Sequence, residues 1–234
     1  MDIKNANLLY KGKSKDIYAL PNGNILMVFG DGFTGTNGVE DPGGNKNIGT
    51  KAGLGRKNLE VSSYLFDKIM METSLPTHQV CVDIQNNMIE AKHVKTLGKG
   101  MIINGITAEG LEFISRNKAW GSYLKRNPSV KQGDSLLTGG CYPFVEVSVK
   151  NDEAGDPFFT REEYIQSGIF GTDYDLSIMY TKMITKYLTD LFSSRGMELI
   201  DMKMEFGKDD KDKVILSDEI SPGSLRALIN GNVA

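Results

Sequence analysis

The run "LIDMKMEFG", residues 199–207, constrains the fold more than any other stretch of the 234-residue chain. Side chains along a strand alternate between its two faces. As a strand, this run puts Met202, Met204 and Phe206 on one face and Asp201, Lys203 and Glu205 on the other. A polar turn, "GKDDKD", separates it from a second strand-like run over 214–220 that carries Asp218 and Glu219. Two strands about a short turn predict a hairpin. Folding about that turn brings Asp218 within a few residues' register of Glu205. A half-solvated antiparallel sheet would have such a pattern. The flanking "DEISPGS", with Arg226 just beyond, is unusual for an exposed face. Two facing carboxylates with a lysine between them match what an Mg-nucleotide site needs, because Mg²⁺ takes one or two carboxylates plus phosphate oxygens.

Bulk properties narrow the alternatives. A hydrophobic content of 40% and a charged content of 24% are those of an ordinary soluble globular chain with a substantial core. The net charge of −3 carries no polyanion-binding signature, so nucleic acid is not the expected partner. Cys81 and Cys141 form no disulfide framework, and His78 and His93 are too few for a histidine-rich metal site. No signal-peptide pattern and no apolar run of membrane-spanning length occur. A reduced, cytoplasmic setting is expected, with no membrane partner.

Along the chain, residues 8–29 read as two strands about the turn "PNGN". Residues 30–55 hold nine glycines and read as one long loop. Residues 56–73 and 175–195 carry amphipathic helical periodicity, and Gly196 closes the second helix. Leu176, Met179, Tyr180, Met183, Ile184, Tyr187, Leu188, Leu191 and Phe192 form the stripe of that helix expected in the core. Strands come first and are followed by mixed strands and helices, an order that predicts α+β rather than a doubly wound parallel sheet.

The remaining candidate chemistry is cationic. "YKGKSKDIY" places Lys11, Lys13 and Lys15 at period two on an expected strand, and Gly12 lets a phosphate approach the backbone. The phosphate-loop pattern fails because Asn7 stands where its first glycine belongs. Gly30, Gly32 and Gly35 match a dinucleotide fingerprint literally, but no helix can open at the following "TNGVEDPGG". That loop could still bind anions through its N–H groups and the hydroxyls of Thr34 and Thr36. "SRNKAWGS" gathers Arg116 and Ser122, with Lys125 and Arg126 beyond, and arginine offers a planar fork to carboxylate or phosphate. "VKNDEAGDP" adds Lys150 and Asp156. Cationic turns, a glycine-rich segment and a carboxylate hairpin, with no nucleophile–histidine pair, point to phosphoryl chemistry with ATP and Mg²⁺.

Five ordered segments resemble the SAICAR synthetase family, whose patterns are "GKxKxIY", "RNxxxGS", "KxDxxxDP", "DFKLEFG" and "DEISPDxxRLWD". Here they read "GKSKDIY" at 12–18, "RNKAWGS" at 116–122, "KNDEAGDP" at 150–157, "LIDMKMEFG" at 199–207 and "SDEISPGSLRALI" at 217–229. The resemblance implies a two-lobed α+β fold of antiparallel sheets and packed helices, with lobes over 1–95 and 96–234 and ATP between them. It implies an ATP-dependent ligase of purine biosynthesis. The carboxylate of carboxyaminoimidazole ribonucleotide would be joined to the amine of aspartate through an acyl phosphate. The implied nucleotide-binding residues are Lys11, Gly12, Lys13, Ser14, Lys15 and Lys150. Glu205 and Asp218 would be Mg²⁺ ligands acting with Lys203, and Arg116, Ser122 and Arg226 would bind the ribonucleotide. Asp31, Thr34, Asn37 and Gly38 keep part of a family loop, and Asp31 and Thr34 are expected at the substrate. A homodimer follows by analogy alone. Departures lie on the acceptor side: Gly223 replaces an acidic residue, the Trp-Asp after Arg226 is missing, and the helical tail that ends the family's sequences has no counterpart. They leave open a paralogous ligase joining another carboxylate and amine, a small-molecule kinase, or a non-catalytic nucleotide sensor.

Overall fold

Pairing of antiparallel strands organises the molecule, and the 197–208 run is its central strand. The computed structural model describes residues 1, 3–36, 38–40, 44 and 46–233, with backbone only at 36, 39 and 40. Asn37 and the Thr36 hydroxyl therefore lie outside the described residues. A 3-10 turn (Ile3–Asn5) leads into β1 (Asn7–Lys11), β2 (Lys15–Ala19) and β3 (Ile25–Phe29). Next come β4 (Gly32–Thr36), β5 (Val39–Glu40), β6 (Lys46–Thr50) and α1 (Leu54–Thr73). After β7 (Gln79–Asp83) and β8 (Met88–Ala91), the first sheet is complete in the order β1-β2-β3-β8-β7.

The chain continues through β9 (Lys95–Thr96), β10 (Ile102–Ile103), β11 (Ile106–Thr107), β12 (Leu111–Arg116), α2 (Ser122–Arg126) and β13 (Phe144–Val149). It ends through α3 (Arg161–Gln166), α4 (Gly171–Ser193), β14 (Met197–Lys208), β15 (Val214–Ser217), β16 (Leu225–Ile229) and β17 (Asn232–Val233). The second sheet runs β13-β12-β14-β16-β17, with β15 and β9 paired to the far end of β14. The architecture is α+β, as the element order predicts.

Alternation along β14 decides what each face of this sheet does. Met202, Met204 and Phe206 are buried in the main core with Phe113 of β12, Leu65, Phe66 and Ile69 of α1, and Ile184 and Leu188 of α4. Each such side chain contributes roughly 1.5–3 kcal/mol on burial. A smaller cluster, Met27, Phe29, Leu59, Ile89 and Ala91, holds the first sheet against α1.

Three expectations are corrected. Lys11, Lys13 and Lys15 do not share a strand: β1 ends at Lys11, Gly12–Ser14 turn, and β2 starts at Lys15. The Gly12 N–H donates to the Lys15 carbonyl at 3.1 Å, and a Cβ at Gly12 would stand 2.3 Å from that oxygen, so only glycine closes this turn. Residues 8–29 thus form three strands rather than two. Residues 30–55 are not a structureless loop, because β4 pairs with β5 and β6 in a small antiparallel sheet.

The third correction concerns α4. Met179 and Met183 are 46% and 42% exposed, while Ser177, Thr181 and Thr185 are fully buried. The hydroxyls of those three donate to the carbonyls of Asp173, Ser177 and Thr181 one turn back. Polar side chains satisfied by their own helix can therefore face a core that the apolar periodicity assigns to methionines.

Candidate active site

A cleft of about 920 Å³ lies over the polar face of β12 and β14. Register dictates its floor. Glu112 is paired with Glu205, Ile114 with Lys203, and Arg116 with Asp201. Two carboxylates directly opposite one another repel. Each is neutralised from a different side: Lys203 Nζ donates to Glu112 at 2.7 Å, and Lys150 Nζ donates to Glu205 at 2.6 Å. Ser148 of β13 donates to the second oxygen of Glu112 at 3.2 Å.

The β14–β15 hairpin forms as predicted, with Glu205 opposite Ser217 and Asp218 next in sequence. Asp218 adopts a left-handed backbone, φ 61°. Lys15, at the start of β2, reaches Asp218 at 2.8 Å and Glu219 at 2.7 Å. Ser14 donates to Glu219 at 3.3 Å. The turn after β1 is thereby tied to the floor of the cleft, and Lys13 ties its outer edge to Asp152 at 2.6 Å.

The electrostatics are those of crowded carboxylates. Burial, aided by Asp218 and Glu112, raises the Glu205 carboxyl above its usual range despite Lys150 and Lys203. For Asp218 burial pushes upward, but Lys15 and Lys150 outweigh it and hold the carboxyl well below the ordinary carboxylate value. Burial opposes the charge on Lys15 and Lys150, yet their carboxylate neighbours raise both above the usual lysine range. Among the described residues four carboxylates (Glu112, Glu205, Asp218, Glu219) meet three lysines (Lys15, Lys150, Lys203), and the buried Oε2 of Glu219 has no hydrogen-bond partner. This end of the cleft is short of positive charge. Among the described residues no group of three or more His, Cys, Asp or Glu side chains forms a ready cation cage. A cation here would take a minority of its ligands from protein carboxylates and the rest from a bound anion, the coordination habit of Mg²⁺.

The opposite end has the reverse imbalance. Arg116 is buried, donating to Glu146 at 2.8 Å, Asp201 at 2.9 Å and Ser122 at 3.0 Å. Arg226 of β16 donates to the same Asp201 oxygen at 2.6 Å. Arg126 pairs with Glu146 at 2.6 Å and stacks 3.8 Å over the Phe158 ring. Among the described residues three guanidiniums thus share these two carboxylates, a charge balance suited to an anion. Gly121, at φ 53°, passes so close that a Cβ would lie 2.9 Å from an Arg226 nitrogen.

Lys13, Ser14, Lys15, Gly12, Arg116, Ser122, Lys150, Lys203, Glu205, Asp218, Arg226 and Thr34 all line the cleft. Lys11 is exposed at the end of β1 and does not line it. Asp31 does not line it either: its carboxylate accepts from the Gly53 and Gly55 N–H groups at 3.2 and 2.9 Å and holds the start of α1. The sequence reading missed Glu112 and Glu146 and gave Glu219 no role. For Glu112 a signal existed, since "LEFISR" sets it two alternations before Arg116 on one strand face.

The SAICAR synthetase family model matches residues 8–233. The chain belongs to the SAICAR synthetase family. Among curated SAICAR synthetases, named phosphoribosylaminoimidazole-succinocarboxamide synthase, that of Clostridium tetani is 37% identical over 96% of this chain and 93% of its own. That of Streptococcus agalactiae serotype III is 34% identical over 95% and 85%. A solved type-2 SAICAR synthetase in complex with ADP superposes with a TM-score of 0.80 and 26% identity, covering 96% of this chain and 86% of that one. The SAICAR synthetase of Pyrococcus horikoshii OT3 superposes with a TM-score of 0.77 and 26% identity, over 94% and 86%.

Proposed function

We infer that this chain is an ATP-dependent ligase that makes SAICAR, joining the carboxylate of carboxyaminoimidazole ribonucleotide to the amine of L-aspartate. The observation that carries the reading is the polarity of one cleft. A lysine–carboxylate end suited to a metal–nucleotide faces an arginine end suited to a phosphorylated substrate, on the same two strands. A ligase using an acyl phosphate needs both anions within reach of one another, since catalysis is mostly positioning and charge neutralisation.

In this reading Gly12, Lys13, Ser14, Lys15 and Lys150 take the nucleotide phosphates, and the SAICAR synthetase solved with ADP supports nucleotide use. Glu205 and Asp218 would hold Mg²⁺, and the buried Glu219 oxygen beside them, without a hydrogen-bond partner among the described residues, suits a cation ligand. Bound Mg²⁺ would neutralise phosphate charge. Lys203 offsets negative charge on the reacting carboxylate or phosphate. Arg116, Ser122 and Arg226 take the ribonucleotide phosphate, and Thr34 lies on the wall formed by β4. Shielding an acyl phosphate from water would let the amine compete with hydrolysis.

Nucleotide would sit between lobes of residues 1–95 and 96–234, since the first sheet lies wholly in one and the second, apart from Lys95 of β9, in the other. The free cysteines Cys81 and Cys141 suit a reducing cytoplasm, and the family resemblance favours a homodimer. No helix among the described residues is long and apolar enough to cross a membrane.

The test is ADP release with Mg-ATP, carboxyaminoimidazole ribonucleotide and aspartate, each omitted in turn. Turnover requiring all three supports the reading. Gly223, in place of the family's acidic residue, favours one alternative, a paralogue with another amine or carboxylate. ADP and ribonucleotide binding without turnover on aspartate would favour it. Aspartate-independent ADP release would favour a kinase.

A further inference from the structure

We propose that His78 is a positioning residue for Asp218, holding the backbone of that residue in the conformation that aims its carboxylate into the cleft. The proposal rests on the reading of Asp218 as a metal-holding carboxylate only for its effect on nucleotide binding. The geometry stands by itself.

Four observations converge. The His78 ring nitrogen Nε2 lies 2.9 Å from the Asp218 carbonyl oxygen. A carbonyl only accepts, so Nε2 carries the proton and donates. Asp218 is a non-glycine residue at φ 61°, a state that persists only where the surroundings over-determine it. His78 is itself fixed. Its segment runs parallel beside β15 through the Thr77–Leu216 bridge, with the Leu216 N–H donating to Pro76 and the His78 N–H donating to Leu216. Its ring packs edge-on against Phe66 of α1 at 5.7 Å.

The far side of the same bend is held by Ser62 of α1, whose hydroxyl accepts from the Ile220 N–H at 3.3 Å. The Asp218–Ile220 bend is therefore clamped between His78 and Ser62, both buried and both outside the cleft lining. Burial also lowers the His78 imidazole to about 4, so the ring stays neutral and brings no charge beneath the carboxylates. Among the described residues its Nδ1 has no hydrogen-bond partner, and the ring's polar contact is the one to Asp218.

The experiment compares wild type with His78→Phe, which keeps a ring against Phe66 but loses the donor, and with His78→Gln, which restores an N–H. Hydrogen exchange is read for the peptide spanning 214–221, with 144–149 as an internal control. Mg-ADP and metal-free ADP binding are read by calorimetry. Expected are faster exchange confined to 214–221 in His78→Phe and roughly tenfold weaker Mg-ADP binding, the usual scale for losing a support behind a ligand. Metal-free ADP binding should be unchanged, and His78→Gln should recover both effects in large part. Unchanged exchange at 214–221 in a folded His78→Phe protein overturns the proposal. Asp218→Asn separates the two ideas: if it leaves Mg-ADP affinity intact while His78→Phe loosens 214–221, the metal reading fails and the positioning role stands.

Discussion

Lys203 and Glu112, on the neighbouring strands β14 and β12, form a 2.7 Å ion pair on the floor of the cleft. Glu112 is almost fully buried, with its other oxygen held by Ser148, so it anchors the Lys203 ammonium on the cleft floor. Glu112→Gln keeps the volume and removes the anchor's charge. A displaced catalytic group costs on the order of 10²-fold in rate. Steady-state kinetics should find kcat reduced by about that factor, with the far-ultraviolet circular dichroism spectrum unchanged.

Glu205→Gln and Asp218→Asn should each abolish turnover while the protein stays folded. Each removes one carboxylate from a group already crowded with negative charge, so loss of the fold is not expected. Activity at wild-type level in either variant would sink their assignment to the metal.

Asp201 is the shared counter-ion of Arg116 and Arg226, all three buried. Removing it takes from two buried guanidiniums the carboxylate they share. Asp201→Ala should lose roughly 3–5 kcal/mol of stability, the cost of breaking a buried pair from one side. Urea unfolding checks this. Arg226→Ala, by contrast, should raise KM for the ribonucleotide far more than KM for ATP.

Gly121→Ala tests the same end without touching a charge. The new methyl would press on the Arg226 guanidinium and strain a positive-φ backbone. Ribonucleotide KM should rise at least about tenfold, equivalent to about 1.4 kcal/mol, with ATP binding little changed. An unchanged ratio of the two KM values would show that Arg226 does not contact the ribonucleotide.

His78 also predicts a pH dependence of stability. Its imidazole titrates at about 4 when folded against 6.5 when free. Between those values the unfolded chain binds a proton that the folded chain refuses, so stability falls as pH drops through this window. The contribution is on the order of 3 kcal/mol at one position. Chemical unfolding at pH 7 and pH 4.5 should find wild type losing more stability on acidification than His78→Gln.

Where chemistry and core alternate on one strand, the sequence is easy to read. The faces of β14, the hairpin to Asp218 and the existence of α1 and α4 follow from period and turn residues, although α4 starts at Gly171, a turn before the expected 175. The glycine turn was less legible because three lysines at period two suit a strand as well as a bend. What decides is the Gly12 N–H closing onto Lys15, a contact without a side-chain signature. β4, β5 and β6 escaped notice because glycine and threonine carry no apolar alternation. Glu112 and Glu146 were missed for another reason: a carboxylate on a strand reads as solvated until the register places an arginine or lysine beside it.

The two faces of β14 cannot vary independently. The run from Asp201 to Phe206 is core on one side and cleft floor on the other, with no residue to spare between them. One inserted or deleted residue here would carry Met202, Met204 and Phe206 into the cleft and bury Asp201, Lys203 and Glu205 among Phe113, Ile184 and Leu188. An insertion or deletion in this segment would therefore damage core and cleft together. Drift toward a new acceptor is left to single substitutions on the outward face and to the loops beyond it, where Gly223 already differs.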